Sequence, residues 1–287
     1  MHVQQSFKEN KPTLYIVSTP IGNLEDITYR AVNILKTVDV IYAEDTRTSA
    51  VLLKHYNIET HMKSYHKHNE RARNDMIIES LNEGKHIALI SDAGTPLISD
   101  PGETLVQDVI SANYPVVSIP GPTAFLTALT ASPISTHPFV FFGFLPAKEN
   151  TQKKQLSQLK HYQETLIFYE APHRINQTLK VLYEVLGNRR VTLARELTKH
   201  YEEYRHFTLE DHTEITDLKG EMVIIVEGSK DDAPLSKDDA IAHIELLIED
   251  GLSEKEAIKT AAKTRNMKKN EVYMAYQNHK KRNDHNG

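Results

Sequence analysis

The sequence predicts an α/β protein: two α/β domains of different strand order, followed by a small C-terminal helical unit. Three observations carry that prediction. Short β-branched runs alternate with amphipathic segments from Leu14 to Ala131. Proline- and glycine-bearing turns follow several of those runs. The stretch from Pro133 to Pro146 then breaks the rhythm before a second, differently ordered α/β part. Alternation of this kind gives a mainly parallel sheet covered by helices.

The elements follow in order. Leu14–Ser18 reads as a buried strand, and residues 28–36 as a helix with Thr28 as its N-cap. A strand is expected over 38–43, a helix over 48–56, and a further helix over 71–82 that stops near Gly84. Strands at 86–91 and 116–119 bracket a helix at 103–113, and a helix at 123–131 closes the first part. In the second part, helices are expected near 153–161 and at 175–186. Strands are expected at 165–169 and 191–195, with later antiparallel strands at 204–209 and 221–226. Asp231–Pro234 reads as a linker. Ser236 and Ser253 are placed as N-caps, the latter in a capping-box pattern with Glu256, and a third helix covers about 268–279. The division expected is a flexible lead-in at 1–12, domains at 13–133 and 134–230, and a helical domain at 236–282.

Composition narrows the function. With 39% hydrophobic and 25% charged residues, the chain can bury a core. The absence of cysteine removes disulfides, thiolate metal sites and cysteine nucleophiles, and fits the cytoplasm. No apolar run is long enough to span a bilayer, and the lead-in MHVQQSFKENKP has no signal-peptide core. Charge is uneven: residues 252–287 hold nine Lys/Arg against four Asp/Glu, a net +5, while the rest carries −10. A basic tail on an acidic body suggests an anionic partner such as nucleic acid, although a solvated helix face would look the same.

Neither a dinucleotide G-x-G-x-x-G nor a P-loop is present. The turns are shaped differently. Ser18–Leu24 (STPIGNL) leaves the first strand, Ser91–Gly102 (SDAGTPLISDPG) forms a long loop after another, and Ile119–Ala124 (IPGPTA) joins a strand to a helix. Ligands bind outside the carboxyl ends of parallel strands, so three such turns make a composite rim. The first turn alone reads more readily as a tight connection, whereas the long loop, with Asp92 and Asp100 as acceptors for an amine or ribose, favours a site over helix capping because it is long for a structural turn. Tyr169–Arg174 (YEAPHR) and Ala194–Lys199 (ARELTK) set ionisable groups after later strands, where acid–base pairs, phosphate contacts or surface ion pairing are all open. Glu44–Arg47 (EDTR) after the second strand raises the same choice. His61, His66 and His68 cluster without a metal framework, so no metal site is expected.

Taken together, LYIVSTPIGN, DTRT, SDAGTPLISDPG, VSIPGPTA, YEAPHR and ARELTK resemble the tetrapyrrole-methylase superfamily, and within it the branch that methylates 16S ribosomal RNA. The resemblance implies two α/β domains with S-adenosylmethionine (SAM) in the cleft between them, a homodimer, and 2′-O-methylation of a cytidine in the decoding region of the small ribosomal subunit. Carried over motif by motif, it places cofactor contacts at Ile21, Asp92, Gly94, Thr95, Ile98, Thr123 and Ala124, with Tyr169, Ala194 and Met222 from the second domain. A ribose hydroxyl is a poor nucleophile that a base or cation would help. Lys199, Glu170 and His173 are the candidates, with Arg47, Arg174 and Arg195 for backbone phosphates. Two other readings stay open: a methyltransferase acting on a tetrapyrrole carbon, which leaves the basic tail without use, and a non-catalytic RNA-binding assembly factor.

Overall fold

The structure, a computed structural model, describes residue 4 and residues 11–211, 215–216, 220–230, 237–249, 251–264 and 267–284. Most of the lead-in, the linker, the N-cap expected at Ser236 and the turn residues Arg265 and Asn266 lie outside the described residues.

The first sheet is parallel throughout. Its strands are β1 (Leu14–Val17), β2 (Val40–Ala43), β3 (Met62–Ser64), β4 (Ile87–Ile90) and β5 (Val116–Ile119), in the order β3-β2-β4-β1-β5. β2 and β4 are buried at every residue, as their unbroken apolar sequence requires when helices cover both faces. The helices are α1 (Tyr29–Thr37), α2 (Thr46–His55), α3 (Glu70–Asn82), α4 (Glu103–Ser111) and α5 (Ala124–Thr130). The Thr28 hydroxyl accepts the Ala31 amide at 3.1 Å, the N-cap the sequence indicates. α2 begins two residues before the expected Thr48, because Asp45 accepts the Arg47 amide at 2.8 Å and caps it earlier. One core, around Val17, Leu35, Ile41 and Ile119, fills one face; another, around Leu14, Tyr42, Ile77 and Leu105, fills the other.

The second sheet is mixed. It comprises β6 (Phe139–Phe144), β7 (Thr165–Glu170), β8 (Arg190–Arg195), β9 (Glu203–Thr208) and β10 (Met222–Val226), ordered β6-β7-β10-β8-β9. Only β6 and β7 pair in parallel, and the later strands are antiparallel as expected. β10 is buried at every residue, which matches its place between β7 and β8. α6 (Glu149–Gln158) and α7 (Ile175–Leu186) cover one face, over a core containing Phe168, Leu179 and Leu182. α6 starts four residues before the predicted segment.

α5 joins the two halves. Its Ala128 and Leu129 share a core with Ile167, Ala194, Val223 and Ile225 of the second sheet. The carboxyl edge of the first sheet is thereby held against the edge formed by the ends of β7 and β8 and the start of β10.

The tail folds as α8 (Lys237–Glu249), α9 (Glu254–Thr264) and α10 (Lys269–Asp284) around Ala240, Ile244, Ile258, Ala261, Val272 and Tyr276. The Glu256 amide donates to the Ser253 hydroxyl at 3.4 Å and the Ser253 amide donates to the Glu256 carboxylate at 3.3 Å, the reciprocal pair that the capping-box pattern indicates. Tyr276 packs in this core, whereas Tyr273, one turn earlier, is 47% exposed on the outer side of α10.

Phe168 is fully buried and stacks on Phe142 with ring centroids 5.4 Å apart. Phe168→Ala is expected to cost roughly 3–5 kcal/mol through lost transfer energy and the cavity it leaves, measured by urea denaturation.

Candidate active site

Three hydroxyls tie the first sheet's turns together. Ser18, at the end of β1, lies 3.0 Å from the Thr95 hydroxyl of the long loop, and Thr95 lies 2.7 Å from that of Thr123 after the P-G-P turn. A reciprocal backbone bridge between Thr19 and Gly94, at 2.9 and 3.0 Å, adds a third tie. The approach is close enough that a Cβ on Gly121 would sit 2.7 Å from that of Ser18, so this turn requires glycine. The composite rim inferred from the sequence is thus one hydrogen-bonded unit.

The long loop and the loop after β8 carry unusual backbone. Leu97, Ser99, Glu196 and Thr198 all have positive φ, between 49° and 75°, without being glycine. Conformations of this kind cost energy and concentrate where a site must be held in shape. Sequence reasoning missed them, since nothing in these side chains announces a left-handed backbone.

Between the two edges lies a cavity of about 370 Å³, a volume suited to a small molecule. Ile21, Gly94, Thr95, Ile98, Thr123 and Ala124 line it from the first half. Tyr169, Lys199 and Met222 line it from the second, joined by Phe144, Glu196 and Glu221, which the sequence reading did not select. Asp100, which the long-loop motif offered beside Asp92 as a carboxylate for an amine or ribose, also lines the cavity.

The remaining candidates fall elsewhere. Asp92 turns its carboxylate to the Asp45 amide at 2.9 Å and does not line the cavity. Ala194 is fully buried in the core shared by the two halves. Glu170, a candidate acid–base group, is a buried structural carboxylate: it accepts from the Ala171 amide and the Thr178 hydroxyl at 2.8 and 2.6 Å and pairs with Arg174 at 3.3 Å. Every acceptor direction it has is turned inward. Arg174 also donates to the carbonyls of Leu145 and Pro146, which occupies the guanidinium assigned to phosphate. Arg195 is engaged by Glu203. His173 is exposed but outside the cavity lining, and Arg47 is fully solvated at the start of α2. His66, of the histidine cluster, is held 3.1 Å from Asn69.

The site is electrostatically one-sided. Burial, with Glu44, Asp92 and Glu221 nearby, pushes the Asp100 carboxyl up to about 6 against the partial opposition of a Ser91 hydrogen bond. Burial and then Asp92 raise Glu44 as well. Burial pushes the Tyr169 phenol to about 12, and its oxygen accepts the Phe125 amide at 3.3 Å. Among the described residues Lys199 is the one basic side chain in the lining, and it pairs with Glu196 at 2.9 Å. Backbone amides and carbonyls, apolar side chains and excess carboxylate suit a ligand with a flat apolar part and positive charge.

A family model described as Tetrapyrrole (Corrin/Porphyrin) Methylases matches residues 13–213. The chain is also 47% identical over 284 residues to the ribosomal RNA small subunit methyltransferase I of Bacillus subtilis (strain 168), covering 95% of this chain and 97% of that protein. The chain belongs to the ribosomal RNA small subunit methyltransferase I family of tetrapyrrole methylases. Solved structures share the fold of this family at much lower identity. The methyltransferase CobJ matches with a TM-score of 0.59 and 18% identity over 76% of this chain and 95% of that one. A uroporphyrin-III C-methyltransferase from Thermus thermophilus, solved with S-adenyl homocysteine, matches with a TM-score of 0.52 and 18% identity over 74% and 96%. The two-sheet core is thus the common methylase framework, and the third, helical unit follows the residues that the family model spans.

Asp100 yields a pH-dependent test. Its carboxyl binds a proton more readily when folded than at its ordinary value of 3.8, so its contribution to stability declines as pH rises from about 4 to about 6. Asp100→Asn is therefore expected to raise the melting temperature of ligand-free protein at pH ~7.5, with the gain shrinking as pH falls through about 6 and vanishing near 4. Scanning calorimetry across that range measures it.

Proposed function

We propose that the chain transfers the methyl group of SAM to the ribose 2′-hydroxyl of a cytidine in the decoding region of 16S rRNA. The observation that carries this reading is the carboxylate-rich cavity at the meeting of the two sheet edges, in a chain similar along nearly its whole length to a small-subunit rRNA methyltransferase. The division of labour follows the domains proposed from sequence: 13–133 and 134–230 hold the cofactor between them, and 236–282 meets RNA.

The donor set fits SAM. The ligand's sulfonium and ammonium find Asp100 and Glu221 in the lining, with Glu44 and Asp92 behind them. Ile21, Ala124 and Met222 offer apolar surface for adenine, and the Thr95–Thr123 hydroxyl pair and loop backbone offer polar contacts. SAM supplies an activated methyl group. What the protein must add is in-line alignment of methyl and acceptor at near-attack distance, and the hydrogen-bonded rim supplies rigidity for that. Lys199 is proposed to act through its charge at the acceptor oxygen, since its ammonium is already paired with a carboxylate.

The tail supports an RNA substrate. Lys255, Lys259 and Lys263 recur every four residues on α9, about 6 Å apart along the axis. With Lys269 they are exposed and form no ion pair among the described residues. The acids nearby are engaged: Glu254 by Lys280, Glu256 by Ser253, and Glu271 by Lys268 at 4.0 Å. The result is a basic face matched to phosphates, and Glu249 of α8 pairs with Lys154 of α6 on the other side. Leu126 and Phe139 are apolar and 45% and 37% exposed, surface that a homodimer would cover. No described helix is long and apolar enough to cross a membrane, which accords with action on cytoplasmic ribosomes.

Labelled methyl from SAM is expected on a ribose 2′-oxygen of one cytidine in small subunits that lack the modification. Label on a porphyrinogen would overturn the reading in favour of tetrapyrrole chemistry, and RNA binding without SAM binding would favour an assembly factor. Reversing Lys259, Lys263 and Lys269 to glutamate is expected to weaken subunit binding at least about tenfold at 0.1 M salt and flatten its salt dependence, with SAM affinity unchanged by calorimetry.

A further inference from the structure

Resting on that reading, we infer that Glu196 is the group that takes the proton from the ribose 2′-hydroxyl, with Lys199 steadying the oxygen as it becomes nucleophilic. The ARELTK motif leaves the roles of its ionisable groups open; the placement of Glu196 is what points to it.

Glu196 and Lys199 both line the cavity and meet at 2.9 Å. The Glu196 side chain is 17% exposed and that of Lys199 41%, so the carboxylate faces inward and the ammonium reaches the mouth, where a ribose would enter. Two devices hold the carboxylate there. Its backbone is left-handed, with φ at 49°, which turns the side chain out of the line of β8. Gly220, just before β10, leaves the space it occupies: a Cβ at that position would lie 2.0 Å from Glu196 Oε1. Lys199 is fixed from the other half of the protein, because its stem crosses Gly22, where a Cβ would lie 2.6 Å from Lys199 Cγ. Glutamate and lysine are thus positioned by separate elements on either side of one cavity. A surface ion pair needs no such construction.

The other ionisable groups of the lining serve less well. Tyr169 is held by the Phe125 amide and remains a phenol at neutral pH. Asp100 and Glu221 belong to the acidic side that complements the cationic donor, and a proton acceptor for the hydroxyl must stand on the acceptor side of the methyl. Glu196 is the carboxylate of the lining already joined to the cation that attracts phosphate and hydroxyl oxygen.

The step balances. The 2′-hydroxyl proton passes to the Glu196 carboxylate as the oxygen forms its bond to the methyl carbon. The carbon–sulfur bond breaks with its electron pair going to sulfur, which leaves a neutral thioether, and Glu196 later returns the proton to water.

The test is Glu196→Gln in the full chain, assayed on small subunits lacking the modification. A fall in kcat of about a hundredfold or more is expected, with the KM for subunits and the Kd for SAM within about twofold of the unaltered protein. Glu196→Asp should recover part of the rate, and Lys199→Ala should lower kcat with SAM binding intact. Full turnover of Glu196→Gln overturns the assignment, as does a selective loss of SAM affinity with kcat preserved. Failure of the unaltered protein to methylate the subunit would instead overturn the rRNA reading and this assignment with it.

Discussion

The close approach of three turns at the carboxyl edge of the first sheet is the constraint on which the rest of the site depends. Ser18, Thr95 and Thr123 are far apart in sequence, and their hydroxyls bond in series because β1, β4 and β5 are adjacent and parallel. Any slip in that sheet's register would separate them. The absence of a side chain at Gly121 lets the P-G-P turn press on Ser18, and the Thr19–Gly94 bridge locks the long loop against the first turn. A rigid wall results, on which the second sheet can build the opposite side of a cavity.

That opposite side is reached through α5. It belongs in sequence to the first half and in packing to both, so the shared core around Leu129 and Val223 sets the width of the cavity. Polar contacts then cross the same gap. The Phe125 amide meets the Tyr169 oxygen, and the Lys199 stem lies over Gly22. Catalysis by alignment needs such over-determination, since a displacement of about 1 Å can cost two orders of magnitude in rate.

Much of the fold was legible because its signals are local. The Thr28 cap, the Ser253–Glu256 box and the unbroken apolar runs of β2, β4 and β10 state their own structure. β3 was not legible: Met62, Lys63 and Ser64 have neither alternation nor β-branching, and they become a strand only because β2 offers an edge. In the site, the turns after parallel strands were readable from their prolines and glycines. Glu170 and Arg174 misled because two ionisable residues one helical turn apart look the same in sequence whether they face a cavity or each other. Glu196 was hidden for a different reason. Its setting depends on Gly220, which is distant in sequence, and on a left-handed backbone that a glutamate side chain does not advertise.

Methyl transfer changes the charge of the ligand and leaves that of the cavity as it was. SAM arrives with one more positive charge than the thioether it becomes, and Asp100, Glu221, Glu44 and Asp92 stay in place. Coulomb attraction in a half-buried setting is weakly screened, so the spent cofactor loses a large part of what held its precursor. The cavity thus favours exchange of old cofactor for new through a change of charge that the chemistry itself brings about.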